Sequence, residues 1–161
     1  MTMSNADENP AERPQPVRTF KMNGLRRTSD RAIGALIRLG VVPGSYLLTT
    51  RGRKTGQLRT TPVTLVESDG HRWLVAPFGP VPWVLNARSA GRVTLRRGRH
   101  SEELAIREVT AEEAGPVLKR YVAVAGVTRP YFRAGKDDPV EDFVAEAGLH
   151  PVFELLPVSP D

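Results

Sequence analysis

The chain has 161 residues, 40% of them hydrophobic and 25% charged, which fits one globular domain with a core of its own. It contains no cysteine, and this excludes a disulfide scaffold, a CxxC redox pair, a thiolate-held metal and a cysteine nucleophile. The net charge of +5 averages unlike segments: residues 51–100 carry ten basic and two acidic groups, whereas residues 101–161 carry six and twelve. Of the basic residues, 19 are Arg and 4 are Lys, a skew that GC-rich coding also produces, so the total says little by itself. A nucleic-acid binder usually spreads its cations along one face with aromatics between them. A basic middle followed by an acidic end argues against nucleic acid as a partner.

Residues 1–17, with Pro10, Pro14 and Pro16 among charged groups, have no apolar period and read as a disordered tail. The start is polar and acidic, unlike a signal peptide, and no apolar run approaches the roughly 20 residues of a membrane span. A cytoplasmic protein is the expectation. Residues 18–43 form the next unit, in which Met22, Leu25, Ile33, Leu36 and Ile37 recur near helical spacing among Arg26, Arg27, Arg31 and Arg38. Such a basic amphipathic helix packs on its own domain or rests on an anionic surface. Peripheral contact of residues 18–40 with the inner face of the cell membrane stays open as an alternative.

Residues 44–157 read as a β domain. Strands are expected over Ser45–Arg51, Leu58–Glu67 and Arg72–Pro77, separated by the Gly52–Gly56 turn and by Ser68-Asp69-Gly70. A short helix over Val81–Ala90 starts in a proline-rich loop and stops at Gly91. Arg92–Arg96 and Glu103–Arg107 alternate cleanly around an Arg97-Gly98-Arg99 turn, so outward charges can pair across that hairpin. Helices over Ala111–Ala125 and Pro139–Ala147 and a last strand over Val152–Leu156 complete the domain. About six strands with peripheral helices, without βαβ alternation, argue an α+β domain built on a small antiparallel barrel.

Several chemistries lack their motif. The order GxxxxGK[ST] is absent, there is no HExxH and no GxSxG, and His71, His100 and His150 are too far apart for a local metal site. No metal is expected, and each histidine reads as a solvated or turn residue. What remains is the basic hairpin from Thr49 to Pro62, where Arg51, Arg53, Lys54 and Arg59 crowd a tight turn with Gly52, Thr55 and Gly56. Adjacent cations repel one another and are stabilised by a polyanion such as a phosphate; a solvated hairpin tip is the other reading. A second constellation runs from Val75 to Arg88. Small residues at a strand end, Ala76 and Gly79 with Pro77 and Phe78, let a planar ring approach the backbone, while Trp83 and Asn86 sit on the short helix. The alternative makes Trp83 a core anchor and Asn86 a surface residue.

Together, TTxGRKTGQxR followed by proline, and PxWxxN some twenty residues on, resemble the deazaflavin-dependent nitroreductase family of coenzyme F420-dependent quinone reductases, over roughly residues 24–157. The resemblance implies a split β-barrel like those that bind flavin mononucleotide, and hydride transfer from reduced deazaflavin to an enone, quinone or nitro compound. It assigns Arg53, Lys54, Thr55, Gly56 and Arg59 to the cofactor's phosphate and acidic tail, with Thr61 and Pro62 on the hairpin's return. It lays Ala76, Pro77, Phe78 and Gly79 along the ring, with Trp83 and Asn86 closing the pocket. Where family members often have tyrosines after the hairpin proline, this chain has Val63, Thr64 and Leu65, and their Met-Trp is Pro82-Trp83 here, so the acceptor is open. The proton that completes the reduction comes from water or from Tyr131, the candidate catalytic residue, for which a packed loop aromatic is the other reading. A non-catalytic carrier of deazaflavin or flavin mononucleotide is the alternative function. Split barrels with an edge to protect often pair, so a homodimer is expected.

Overall fold

The computed structural model describes residues 44–159; the expected tail (1–17) and amphipathic segment (18–43) lie outside the described residues. Six strands form the frame: β1 (Ser45–Arg51), β2 (Leu58–Ser68), β3 (His71–Val75), β4 (Arg92–Arg97), β5 (His100–Glu108) and β6 (Val152–Pro157). All pairs are antiparallel and the order β1-β2-β3-β6-β5-β4 closes into a barrel. Closure is made by β1 on β4, with Leu48 opposite Leu95. The edge that motivated the expectation of a homodimer is therefore paired within the chain.

Period-2 alternation explains the barrel's two faces. Leu48, Leu65, Leu74, Leu95, Leu104 and Phe153, one from each strand, meet in one buried cluster inside it. Helix α1 (Pro82–Ala90) caps the end where β1 and β3 finish, adding Val84 and Ala87 to that cluster, both fully buried. At the opposite mouth, the Tyr46 hydroxyl donates to Glu67 at 3.2 Å and Arg72 bridges Glu102 at 2.5 Å.

Outward residues of the same strands build a second core. Val66, Val75 and Val152 pack beneath α2 (Ala111–Val124) and α3 (Val140–Glu146), against Leu118, Tyr121 and Phe143. The two helices cross at Gly115, where a Cβ would stand 2.5 Å from Val144 and 3.1 Å from Val140, so only glycine permits the approach. Thr110 caps α2 by accepting the Glu113 N–H at 3.3 Å. Glu113 also receives Arg107, whose guanidinium holds Glu154 at 2.6 Å, so one ionic chain ties β5 and β6 to α2.

The main differences from expectation are three, the first being that β5 starts at His100 rather than Glu103, because Arg97 pairs directly with His100 across a two-residue turn. β3 stops at Val75 rather than Pro77, because Ala76 sends its N–H to the Pro151 carbonyl (2.8 Å) and proline has no N–H with which to continue a ladder. A 3-10 segment, Gly126–Tyr131, follows α2 where the sequence suggested only a loop. The charged hairpin pairing appears as Arg92 on Glu103 at 2.6 Å, a diagonal neighbour in the observed register.

Candidate functional site

The loop between β1 and β2 is held from within. Gly52 donates to the Gln57 carbonyl at 2.7 Å, Gly56 to the Gly52 carbonyl at 2.8 Å, and the Arg51 guanidinium to the Gly56 carbonyl at 3.0 Å. Thr55 Oγ1 accepts the Gln57 N–H at 3.3 Å, which leaves its own proton free to donate. Arg59 leans on Gln57 at 3.4 Å, while Thr61 and Pro62 pair with Leu48 and Leu47 on the barrel wall.

The two sequence constellations meet at one atom. Asn86 Oδ1, on the α1 side that faces the barrel, accepts both the backbone N–H of Arg53 (3.2 Å) and its guanidinium (3.1 Å). Asn86 is 4% exposed, a buried residue and not a surface one. Lys54 and Arg53 themselves stay exposed. Among the described residues Arg51, Arg53, Lys54 and Arg59 make no ion pair, whereas Arg72, Arg88, Arg92 and Arg107 each hold a carboxylate. Arg88, beside Asn86 on the helix, is neutralised by a two-bonded contact with Glu108. The loop is therefore a pre-shaped turn with uncompensated positive charge and backbone donors.

The turn after β3 forms the second wall. Ala76 is fully buried and Gly79 turns the chain at φ +83°, accepting Val81 N–H on its carbonyl at 2.8 Å. A Cβ at Gly79 would lie 3.4 Å from the Leu149 carbonyl in a left-handed conformation that other residues resist. Phe78 is half-buried and meets Tyr131 edge to face, with centroids 4.7 Å apart. Tyr131 thus stands beside the predicted ring-side segment despite lying more than fifty residues further along the chain. Trp83 is half-buried, its ring tilted against Phe153 at 6.1 Å and packed on the barrel's inner cluster.

One histidine differs from expectation. His150 is 3% exposed, neither solvated nor a simple turn residue. Its Nδ1 lies 3.0 Å from the Pro77 carbonyl, which can only accept, so that nitrogen carries the proton. Phe132 stacks on the ring at 4.0 Å, and burial pushes the imidazole below its ordinary pKa although Glu146 pulls the other way. No local signal marks it, because a 3-10 turn, Ala147–Leu149, separates it from Glu146 and its other partners, Pro77 and Phe132, are distant in sequence. His71 and His100 are exposed, as expected. Among the described residues no group of three or more His, Asp or Glu is placed to hold a metal, and no helix is long and apolar enough to cross a membrane.

Comparisons with known proteins bear on the family and the fold. The sequence model described as F420H(2)-dependent quinone reductase matches residues 20–134. A solved F420-H2 dependent reductase, FDR-A, is 27% identical, covers 70% of this chain and 94% of its own, and superposes with a TM-score of 0.51. A structure described as a domain-swapped dimer is 25% identical over 81% of this chain and 96% of its own, with a TM-score of 0.52. A protein of unknown function from Agrobacterium tumefaciens, 14% identical over 78% of this chain and 53% of its own, shares the fold with a TM-score of 0.53. The chain belongs to the F420H(2)-dependent quinone reductase family, and is an oxidoreductase that works with F420.

Proposed function

We propose that this chain binds F420 across the 52–57 loop and the 76–79 turn and reduces an enone-, quinone- or nitro-type small molecule beside Phe78 and Tyr131. The observation that carries the site is the double hydrogen bond from Arg53 to Asn86. It docks a cationic loop on the helix that follows the ring-side turn, so an anionic tail and a planar ring can be held by one rigid unit. The residues fit such a ligand: four cations that hold no carboxylate among the described residues, a small buried turn at Ala76 and Gly79, and an aromatic edge.

When bound, the reduced deazaflavin supplies a hydride from the carbon that replaces the flavin N5, and the protein supplies orientation and exclusion of water. Arg53, Lys54 and Arg59 bind the phosphate and acidic tail, with the Thr55 hydroxyl and Gly56 at the turn; Thr61 and Pro62 line its return. Ala76, Pro77, Phe78 and Gly79 set the ring's plane. Asn86 acts by holding the loop, and Trp83 by fixing the cap. The Tyr131 hydroxyl is the group from which the acceptor takes its proton. A homodimer belongs to the same reading, supported by the domain-swapped dimer among the similar structures.

The test is a fluorescence titration with oxidised F420 and, separately, flavin mononucleotide, followed by turnover of reduced F420 with a quinone, a nitroaromatic and a cyclic enone. Tight F420 binding with reduction of one acceptor class is the expected result. Binding of the mononucleotide alone contradicts the cofactor site, and F420 binding without any turnover selects the carrier reading.

A further inference from the structure

Two walls of the site converge on a buried pair of titratable side chains to which the functional reading gives no role. His150 and Glu146 are 3% and 4% exposed; Glu146 ends α3, and His150 follows it after a three-residue 3-10 turn, Ala147–Leu149. The His150 Nδ1–H donates to the carbonyl of Pro77, the residue before Phe78. Both Glu146 oxygens are used on the other wall: Oε2 accepts the Arg133 N–H at 3.0 Å and Oε1 the Ala134 N–H at 3.1 Å. Between those anchors Phe132, the residue after Tyr131, stacks on the imidazole with planes 24° apart.

A histidine and a glutamate are costly fillers for a core, and apolar residues of similar volume would pack there at less expense. Their polar atoms do what apolar ones cannot, which is to fix a carbonyl on one loop and two N–H groups on another. His150 Nε2 adds no hydrogen bond of its own among the described residues and stands 3.6 Å from Glu146 Oε2. The ring is therefore oriented by its Nδ1 bond and its stack on Phe132. The charged groups around it are Glu146 on α3 and Arg133 on the loop that follows Tyr131.

We propose that His150 and Glu146 are positioning residues that set the gap between the Phe78 turn and the Tyr131 segment, and so the fit of the electron acceptor. This rests on the functional reading above. The unit holds the 4.7 Å contact of Phe78 with Tyr131 from behind, while the phosphate end of the site, on Asn86 and the 52–57 loop, is held independently. Loss of the pair thus loosens one edge of the ring-side wall against Tyr131 while the loop that holds the anionic tail stays docked on Asn86, so it falls far more on the acceptor than on F420.

The experiment compares the wild type with His150→Leu and His150→Asn. The Asn amide N–H takes the place of Nδ1–H and keeps the bond to Pro77. F420 affinity is read by fluorescence, and kcat and KM for a quinone at saturating reduced F420. Leaving the Pro77 carbonyl without its donor is expected to raise KM by about tenfold in His150→Leu, with F420 affinity within about threefold of wild type. His150→Asn is expected to recover most of that loss. An unchanged KM in His150→Leu overturns the proposal, as does a parallel loss of F420 affinity with no recovery in His150→Asn, which marks a merely structural residue. Failure of the wild type itself to bind F420 sinks the functional reading and this inference with it. Should His150→Leu not fold, the wild-type imidazole decides: long-range proton–nitrogen NMR must show Nδ1 protonated, and a proton on Nε2 alone overturns the proposal.

Discussion

Replacing Asn86 separates docking of the basic loop from its charge. Asn86→Ala removes an acceptor that serves the Arg53 N–H at 3.2 Å and its guanidinium at 3.1 Å. Net values are about 0.5–1.5 kcal/mol for a neutral hydrogen bond and 1.5–3 for one to a charged group, but Arg53 is exposed and water replaces part of the loss. A stability loss of roughly 1–2 kcal/mol is expected, a few degrees in Tm for a domain of this size. The loop then samples conformations away from the ring-side turn, and the Kd for F420 rises by roughly tenfold. Asn86→Asp keeps both acceptor contacts and adds a carboxylate against Arg53. It should hold Tm near wild type and still weaken F420 binding, because the cation is now neutralised. Thermal melts and fluorescence titrations on the two variants measure both quantities. Wild-type affinity in Asn86→Ala, or tighter binding in Asn86→Asp, would refute the reasoning.

Gly79→Ala forces a Cβ into a left-handed turn 3.4 Å from the Leu149 carbonyl, and F420 affinity should fall by more than tenfold while Arg53 and Lys54 are untouched; equal affinity in a titration would count against the ring-side assignment. Gly115→Ala gains roughly 1 kcal/mol of helix propensity and loses about 1–3 to overpacking on Val144 and Val140, so denaturant melts should show a net destabilisation, and a more stable variant would contradict the observed helix crossing. Arg107, and after it His71, hold the Glu154 carboxyl below its usual range. That contribution is present above the unfolded carboxylate pKa of about 4.3 and is lost as pH falls through the lower folded value. Melts between pH 7 and pH 3 should therefore show a steeper acid loss in wild type than in Glu154→Gln, and parallel curves would contradict it.

The strands were legible where one face is buried and the other wet. Arg92-Val93-Thr94-Leu95-Arg96 buries Val93 and Leu95 and exposes its first and last residues, so the local pattern suffices. Closure of β1 on β4 was not legible, because it pairs segments more than forty residues apart and leaves no local signature. The basic hairpin and the Trp-x-x-Asn helix were readable as motifs, and the structure brings them together through Asn86. What it does to each residue was less readable: Asn86 is a buried clasp and Trp83 packs half-buried against Phe153, a difference set by which side of α1 meets the barrel. His150 escaped because its partners, Pro77 and Phe132, are distant in sequence, and a single histidine carries no periodic signal. The 3-10 segment that presents Tyr131 escaped for a similar reason, since Gly126 and Pro130 look like loop residues whether or not tertiary contacts tighten the turn.

The central claim is that the exposed cations of the 52–57 loop hold the anionic end of F420. Arg53→Ala combined with Lys54→Ala removes two exposed side chains, only one of which, Arg53, forms a side-chain bond among the described residues, so the fold should survive with Tm within a few degrees of wild type. Fluorescence titration of that double variant with oxidised F420 is the direct measurement. The account predicts at least a hundredfold weaker binding, about 2.7 kcal/mol, from the loss of two charge-assisted contacts. Wild-type affinity in a folded double variant would contradict it.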